Sequence, residues 1–179
     1  SSIAGTKTPW FNQDFVYDAL NRLVGATGRY GVINYTYDKV GNRLTREINS
    51  DTEVYSYVAG TSRLESITGP DPVDFSYDAN GNTIGMGDRT FCYNDNNRLI
   101  RVEEGADILA EYTYNGLGQR VVKVADGSTT FYHYDLSGKL IAESDEAGNM
   151  SVEYLYVGKI RVAMVDVETG SMYYYLNSK

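Results

Sequence analysis

One cysteine, one histidine and three prolines in 179 residues set the first limits. Cys92 alone permits no internal disulfide, and with His133 it supplies too few ligands for a four-ligand Cys/His zinc site. No apolar run approaches the roughly 18 residues of a membrane-spanning helix, so membrane insertion is not expected. There is no basic run, and Asp plus Glu (24) outnumber Lys plus Arg (16) for a net charge of −8. Nucleic acid and anionic membrane surfaces are poor partners for such a chain. The chain opens on Ser1, with neither an initiator Met nor a charged-then-apolar leader. The expectation is a processed, recombinant or excised chain. A sustained 3.6-residue apolar period is also missing, which argues against helices.

Tyrosine and glycine are abundant, at 17 and 18 residues. Tyr favours strands and Gly favours turns, so the composition points to an all-β chain with many reversals. A unit recurs: aromatic, any residue, Tyr, usually Asp or Asn, a polar Gly/Asn turn, then Arg-Leu or a relative. It reads Phe15-Val16-Tyr17-Asp18 with Asn21-Arg22-Leu23, then Tyr35-Thr36-Tyr37-Asp38 with Gly41-Asn42-Arg43-Leu44. Tyr55-Ser56-Tyr57 with Arg63-Leu64 and Phe75-Ser76-Tyr77-Asp78 with Gly81-Asn82-Thr83-Ile84 follow. Phe91-Cys92-Tyr93-Asn94 with Arg98-Leu99 and Tyr112-Thr113-Tyr114-Asn115 with Gly118-Gln119-Arg120-Val121 come next. Tyr132-His133-Tyr134-Asp135 with Gly138-Lys139-Leu140 and a looser Tyr154-Leu155-Tyr156 with Gly158-Lys159-Ile160 complete eight, and Tyr173-Tyr174-Tyr175 starts a ninth. The second aromatics are spaced 20, 20, 20, 16, 21, 20 and 22 residues apart. That period fits two strands and two turns.

Each unit reads as a hairpin. Tyr35 and Tyr37 share one strand face and Thr36 takes the other. Asp38 opens a loop of four or five residues, in which Gly41 and Asn42 fit positive φ. Ala125-Asp126-Gly127-Ser128, Glu146-Ala147-Gly148-Asn149 and Glu168-Thr169-Gly170-Ser171 read as turns at the opposite end. The expectation is an antiparallel meander of about fifteen strands, a spiral of hairpins whose tyrosines stack across strands. Aromatic neighbours of this kind contribute roughly 0.5–1.5 kcal/mol each beyond burial. One hairpin cannot bury its own face, so the units build their core jointly. The expected organisation is a lead-in over residues 1–13, a repeat domain over 14–176 and an end over 177–179.

The unit Tyr37-Asp38 to Gly41-Asn42-Arg43-Leu44 resembles the tyrosine-aspartate (YD) repeat of the Rhs family. That family includes bacterial Rhs proteins, the cocoon-forming component of insecticidal toxin complexes, cell-wall-associated bacterial proteins and animal teneurins. The stretch from Glu153 to Asp166 with Tyr173 to Leu176 is similar to the closing part of an Rhs core. The resemblance implies a spiral β-sheet that closes as a hollow shell, in bacteria often around a C-terminal toxin. It also implies a secreted or surface-associated bacterial setting. The sequence stops short of the family's Asp-Pro-rich self-cleavage motif, and 179 residues hold too few strands for a whole shell. The implied role is therefore wall material.

Chemistry beyond the repeat is sparse. His133 and Cys92 fill the variable place between two aromatics, held elsewhere by Thr36, Ser56, Ser76 and Thr113. They read as cross-strand residues, with a general base or a nucleophile as the alternatives. The clusters Glu103-Glu104-Gly105-Ala106-Asp107 and Asp145-Glu146-Ala147-Gly148-Asn149 read as solvated turns, with Ca²⁺ as the alternative. No Gly-x-Gly-x-x-Gly opens a helix, so no nucleotide site is expected. Asn34-Tyr35-Thr36 and Asn149-Met150-Ser151 match the glycosylation sequon weakly. Rows of tyrosine beside Asp, Asn and Arg also suit sugar rings. No catalytic residue, cofactor or metal is expected. The motif residues Tyr17, Asp18, Tyr35, Tyr37, Asp38, Gly41, Arg43, Tyr55, Tyr57, Arg63, Tyr77, Asp78 and Gly81 are expected to be structural. So are Tyr93, Arg98, Tyr112, Tyr114, Gly118, Arg120, Tyr132, Tyr134, Asp135, Gly138, Tyr154 and Tyr156. The expected function is a non-enzymatic wall or scaffold segment that encloses or supports a partner. Two alternatives are a filament assembled from copies through open strand edges and a glycan-binding or adhesive surface.

Overall fold

The computed structural model describes residues 2–3 and 12–175. Most of the expected lead-in, and the whole of the expected end over 177–179, lie outside them. Two compact units divide the chain, Ser1–Gly87 and Asp88–Lys179. All regular structure among the described residues is β.

The first unit holds β1 (Ser2–Ile3), β2 (Gln13–Tyr17), β3 (Leu23–Gly28), β4 (Gly31–Tyr37), β5 (Arg43–Ile48), β6 (Asp51–Tyr57), β7 (Leu64–Thr68), β8 (Val73–Tyr77) and β9 (Thr83–Met86). From β2 to β9 each strand pairs antiparallel with the next, and β1 pairs with β2. The second unit holds β10 (Arg89–Tyr93), β11 (Leu99–Glu104), β12 (Asp107–Tyr114), β13 (Arg120–Ala125), β14 (Ser128–Tyr134), β15 (Leu140–Ser144), β16 (Met150–Val157), β17 (Ile160–Asp166) and β18 (Met172–Tyr174). It too is an antiparallel meander in chain order. Among the described residues eighteen strands replace the expected fifteen or so. The surplus comes from short pieces such as β1 and β18.

Period-2 alternation sets the faces. In β4, Ile33, Tyr35 and Tyr37 are half-buried while Val32, Asn34 and Thr36 are exposed. Among the described residues only Ala26, Ala110, Ala142, Ala163 and Ser144 are buried, and no large side chain is fully enclosed. Burial is thus spread over many half-covered rings rather than gathered in a dense core.

One irregularity recurs in all eight tyrosine hairpins. Thr36 pairs with Thr45, but Tyr37 pairs with Arg43, so Leu44 is an extra residue on the returning strand. The same slip leaves Val24, Glu65, Ile84, Ile100, Val121, Ile141 and Val162 unpaired in the other units. A bulge at a fixed place adds local twist and re-aims the side chains beside it.

Candidate functional site

The bulge ends the pairing between one hairpin and the next. Between β3 and β4 the ladder runs from Gly28↔Gly31 only as far as Gly25↔Asn34. Beyond it, the carbonyl of Leu23 needs another donor. Tyr37 Oη supplies it at 2.8 Å. The same bond joins Tyr57 to Arg43 O at 2.8 Å, Tyr77 to Leu64 O at 2.7 Å and Tyr114 to Leu99 O at 2.8 Å. Tyr134 donates to Arg120 O and Tyr156 to Leu140 O, each at 2.9 Å. A seam of hydroxyl-to-carbonyl bonds therefore continues the sheet past its backbone ladder. Desolvation raises the pKa of Tyr57 and Tyr134 above the ordinary tyrosine value. The signal was present in the sequence: the second aromatic is Tyr in all eight units, whereas the first is Phe at 15, 75 and 91. Among the described residues the bond is seen at six second-place tyrosines, whereas Tyr55 and Tyr154 in the first place bond the Glu53 and Glu143 carboxylates.

The loops share one construction. Asp38 Oδ1 accepts from Val40 N at 2.9 Å and Asn42 N at 2.8 Å, while Oδ2 accepts from the Asn42 amide at 2.9 Å. Gly41 N donates to Asp38 O, and Asp38 N donates to Asn42 O. The loop between the strands runs over residues 38–42, the expected length, and is built around a turn closed by a left-handed residue. Positive φ falls on Gly41 at 99° and not on Asn42, whose side chain instead binds Asp38. Asn21 and Asn97 take the same left-handed place at 58° and 55°. Asp18, Asp78 and Asp135, like Asn94 and Asn115, accept two backbone N–H groups in the same way. The Asp18 carboxyl is held below its usual value, chiefly by the Arg22 backbone N–H. For Asp38, partial desolvation pushes upward, but the bonds from Asn42 and Val40 outweigh it and the pKa is lowered. Asp126 and Gly127 both have positive φ between the paired Ala125 and Ser128, as the Asp-Gly turn requires.

The Arg-Leu pair of the repeat resolves into two distinct positions. Arg22, Arg63, Arg98 and Lys139 are the last loop residues, and each reaches the second tyrosine of the following unit. Their cations stand 4.8, 5.8, 5.8 and 5.3 Å from the centroids of Tyr37, Tyr77, Tyr114 and Tyr156. Arg22 Nη1 also bonds Asp38 O at 2.8 Å, and Lys139 Nζ bonds Gly158 O at 2.7 Å. Arg43, Arg120 and Arg161 stand one place later, paired directly with a second tyrosine. Arg43 lies between Tyr35 (4.8 Å) and Tyr55 (5.4 Å), and Arg120 between Tyr112 (5.2 Å) and Tyr132 (4.8 Å). Arg161 covers Tyr154 at 4.1 Å.

The two positions alternate along the chain. Where Thr83 replaces the arginine, the first aromatics before and after it in sequence are Phe75 and Phe91. Tyrosine stands in the first place wherever an arginine neighbours it. The building block is thus a pair of hairpins. The register Ala163↔Tyr174 puts Tyr175, rather than Tyr173, in the first-aromatic place of a ninth unit, and its N–H bonds Val162 O at 2.9 Å.

The residues considered for other chemistry are engaged elsewhere. His133 Nε2 and Ser144 Oγ share a hydrogen bond of 2.8 Å. Cys92 faces Arg101 across β10 and β11. Arg101 sits between Glu103 (3.2 Å) and Glu111 (3.1 Å) beside a groove of about 440 Å³ that also includes Ile100 and Thr113. Glu104 pairs with Arg89 at 3.2 Å, and Asp145 folds its own loop through Asn149. Among the described residues no three His, Cys, Asp or Glu converge on a metal position, and no helix is long and apolar enough to cross a membrane.

The teneurin YD-shell family model matches residues 6–130 and again 49–178. The chain belongs to this YD-shell family. Two bacterial relatives match most of this chain. The tRNA3(Ser)-specific nuclease WapA of Bacillus spizizenii is 32% identical over 163 residues, covering 89% of this chain and 7% of that protein. The tRNA nuclease WapA of Bacillus subtilis is 33% identical over 144 residues, covering 78% of this chain and 6% of that protein. This YD-shell chain therefore spans a small fraction of the curated relatives it matches. Among solved structures, the TcdB2-TccC3-TEV crystal structure aligns with 87% of this chain and 11% of that chain, at a TM-score of 0.43 and 12% identity. A second TcdB2-TccC3 structure gives 0.41 and 14%, covering 90% of this chain and 10% of that chain.

Proposed function

We propose that this chain is a wall segment of a YD-repeat shell whose job is to enclose or support a second polypeptide, of the toxin type in bacterial relatives. The observation that carries the reading is the hydroxyl seam. Within each compact unit one hairpin hands a bond to the next, so the array extends by adding hairpins without altering those already laid down. A wall needs that property and an active site does not. In the same reading the segment is non-enzymatic. It leaves the nuclease activity in the names of the Bacillus relatives to the rest of their length, of which this chain matches 6–7%. A secreted or cell-surface setting goes with it.

Glycan binding competes less well for the tyrosine face, because Arg43, Arg120 and Arg161 already cover first-place rings. Assembly through strand edges makes the same chain a filament and is separated by the same test. Limited proteolysis of the whole natural chain checks the proposal. The wall reading expects a resistant core that contains residues 12–175 and shields a second stretch of the same polypeptide. Release of this segment as a free module, leaving the rest equally exposed, contradicts it.

A further inference from the structure

The loop between β12 and β13 differs from its siblings at two adjacent places. Asn115 stands where Asp18, Asp38, Asp78 and Asp135 stand elsewhere. Gly116 follows it, where other loops carry Ala19, Lys39, Ala79, Asp95 and Leu136. The fold does not call for that glycine. Its φ lies outside the left-handed region, and a Cβ there meets nothing within 4 Å. Asn94 makes the same two backbone bonds as Asn115 and is followed by Asp95. An Asn-Gly pair has a chemistry of its own, because a glycine N with no Cβ beside it can close on the Asn side-chain carbonyl carbon. The sequence holds two such pairs, Asn80-Gly81 and Asn115-Gly116. The structure sets them apart. Gly81 N–H is committed to Asp78 O at 3.1 Å. Gly116 is exposed, and among the described residues its N–H has no hydrogen-bond acceptor. Asn115 Oδ1 accepts from Leu117 N and Gln119 N, each at 3.0 Å. Two fixed donors on that oxygen favour the negative charge that develops there on attack.

We propose that Asn115-Gly116 is a self-modification site, at which Asn115 deamidates spontaneously with water as the one co-reactant. Gly116 N attacks Asn115 Cγ, and a new C–N bond closes a five-membered imide. The Cγ–Nδ2 bond breaks. The proton released by Gly116 N reaches the departing nitrogen through solvent, and Nδ2 leaves as ammonia. Water then adds to either imide carbonyl and reopens the ring, as aspartate or as isoaspartate. The aspartate product is the residue that the sibling loops already use. Its arrival reroutes a hydrogen-bond relay. Asn115 Nδ2 donates to Gln119 Oε1 at 2.8 Å, and Gln119 Nε2 donates to Gly138 O at 3.2 Å. A carboxylate at 115 only accepts. The Gln119 amide must then turn to donate inwards, as Asn42 and Asn82 do to Asp38 and Asp78. That withdraws the bond to Gly138 O. The modification thus frees one loop from its neighbour while each stays folded. This chemistry is independent of the wall reading and of any partner.

The test ages the whole natural chain, folded, in mildly alkaline buffer and follows amide-to-acid conversion by mass spectrometry. Trypsin places the two pairs in separate peptides, 102–120 and 64–89. Conversion at Asn115 should run at least tenfold faster than at Asn80, and the two rates should converge in urea. Gly116→Ala, which copies Ala79 of a sibling loop, should keep the wild-type melting temperature and slow conversion at Asn115 at least tenfold. Asn115→Asp should stay folded and speed amide hydrogen exchange over residues 135–139. Conversion at Asn115 no faster than at Asn80 in the folded chain overturns the proposal. So does a Gly116→Ala chain that melts clearly lower, which makes the glycine a requirement of the fold. Unchanged exchange over 135–139 in Asn115→Asp overturns the release of the neighbouring loop.

Discussion

Asp18, Asp38, Asp78 and Asp135 fold their loops by accepting hydrogen bonds as carboxylates, and acid acts on those bonds first. Their pKa values in the folded chain lie below the ordinary 3.8. The stability they contribute is present in full above that value and is lost as pH falls through the lowered folded values. Unfolding midpoints should therefore drop between about pH 4 and pH 2. Asn94 and Asn115 fold the same loop without titrating. The variant Asp38→Asn should accordingly show a shallower acid decline than wild type in melts across that range. Glycine makes a sharper contrast. A side chain at Gly41 meets nothing within 4 Å, and Asn already occupies the equivalent places at 21 and 97. Gly41→Asn should cost less than about 1 kcal/mol. Gly118 also has positive φ, but a Cβ there overlaps the Arg98 guanidinium that covers Tyr114. Gly118→Ala should cost about 2 kcal/mol or more in urea unfolding, from strain and clash together.

At the level of the hairpin, the two aromatic places predict different costs for the same atom. Tyr37→Phe removes a hydroxyl that bonds Leu23 O and should destabilise by about 1 kcal/mol. Tyr35→Phe keeps an aromatic ring against Arg43 and should cost clearly less. The arginine sandwich is tested by a double-mutant cycle on Arg43→Leu and Tyr55→Phe. A coupling of about 0.5 kcal/mol or more is expected, and additivity would dissolve the pairing of Tyr with Arg. Period, hairpins and turn chemistry were legible in the sequence because Asp, Gly and Tyr each act within one unit. The split between Arg22 and Arg43 was not legible. Their shared Arg-Leu spelling hides a one-residue offset, which is fixed only by where the left-handed loop residue and the bulge fall. The reach of Tyr37 to Leu23 was equally hidden, since it joins neighbours in space, although the invariant second Tyr pointed to it.

On the scale of the whole chain, the repeat itself is the proposed device. Hairpins joined by tyrosine hydroxyls and stacked arginines are proposed to extend as a wall that serves a further polypeptide. Family membership supports the wall, and the 6–7% share of the Bacillus relatives shows how much more chain such a protein can contain. Electron cryomicroscopy of the whole natural chain tests this most directly. The predicted map has β2 to β17 inside a continuous spiral sheet, with the tyrosine seam running into repeats on either side and a second polypeptide against one face. A map in which this segment projects as a separate module, with solvent on both faces, would contradict the account.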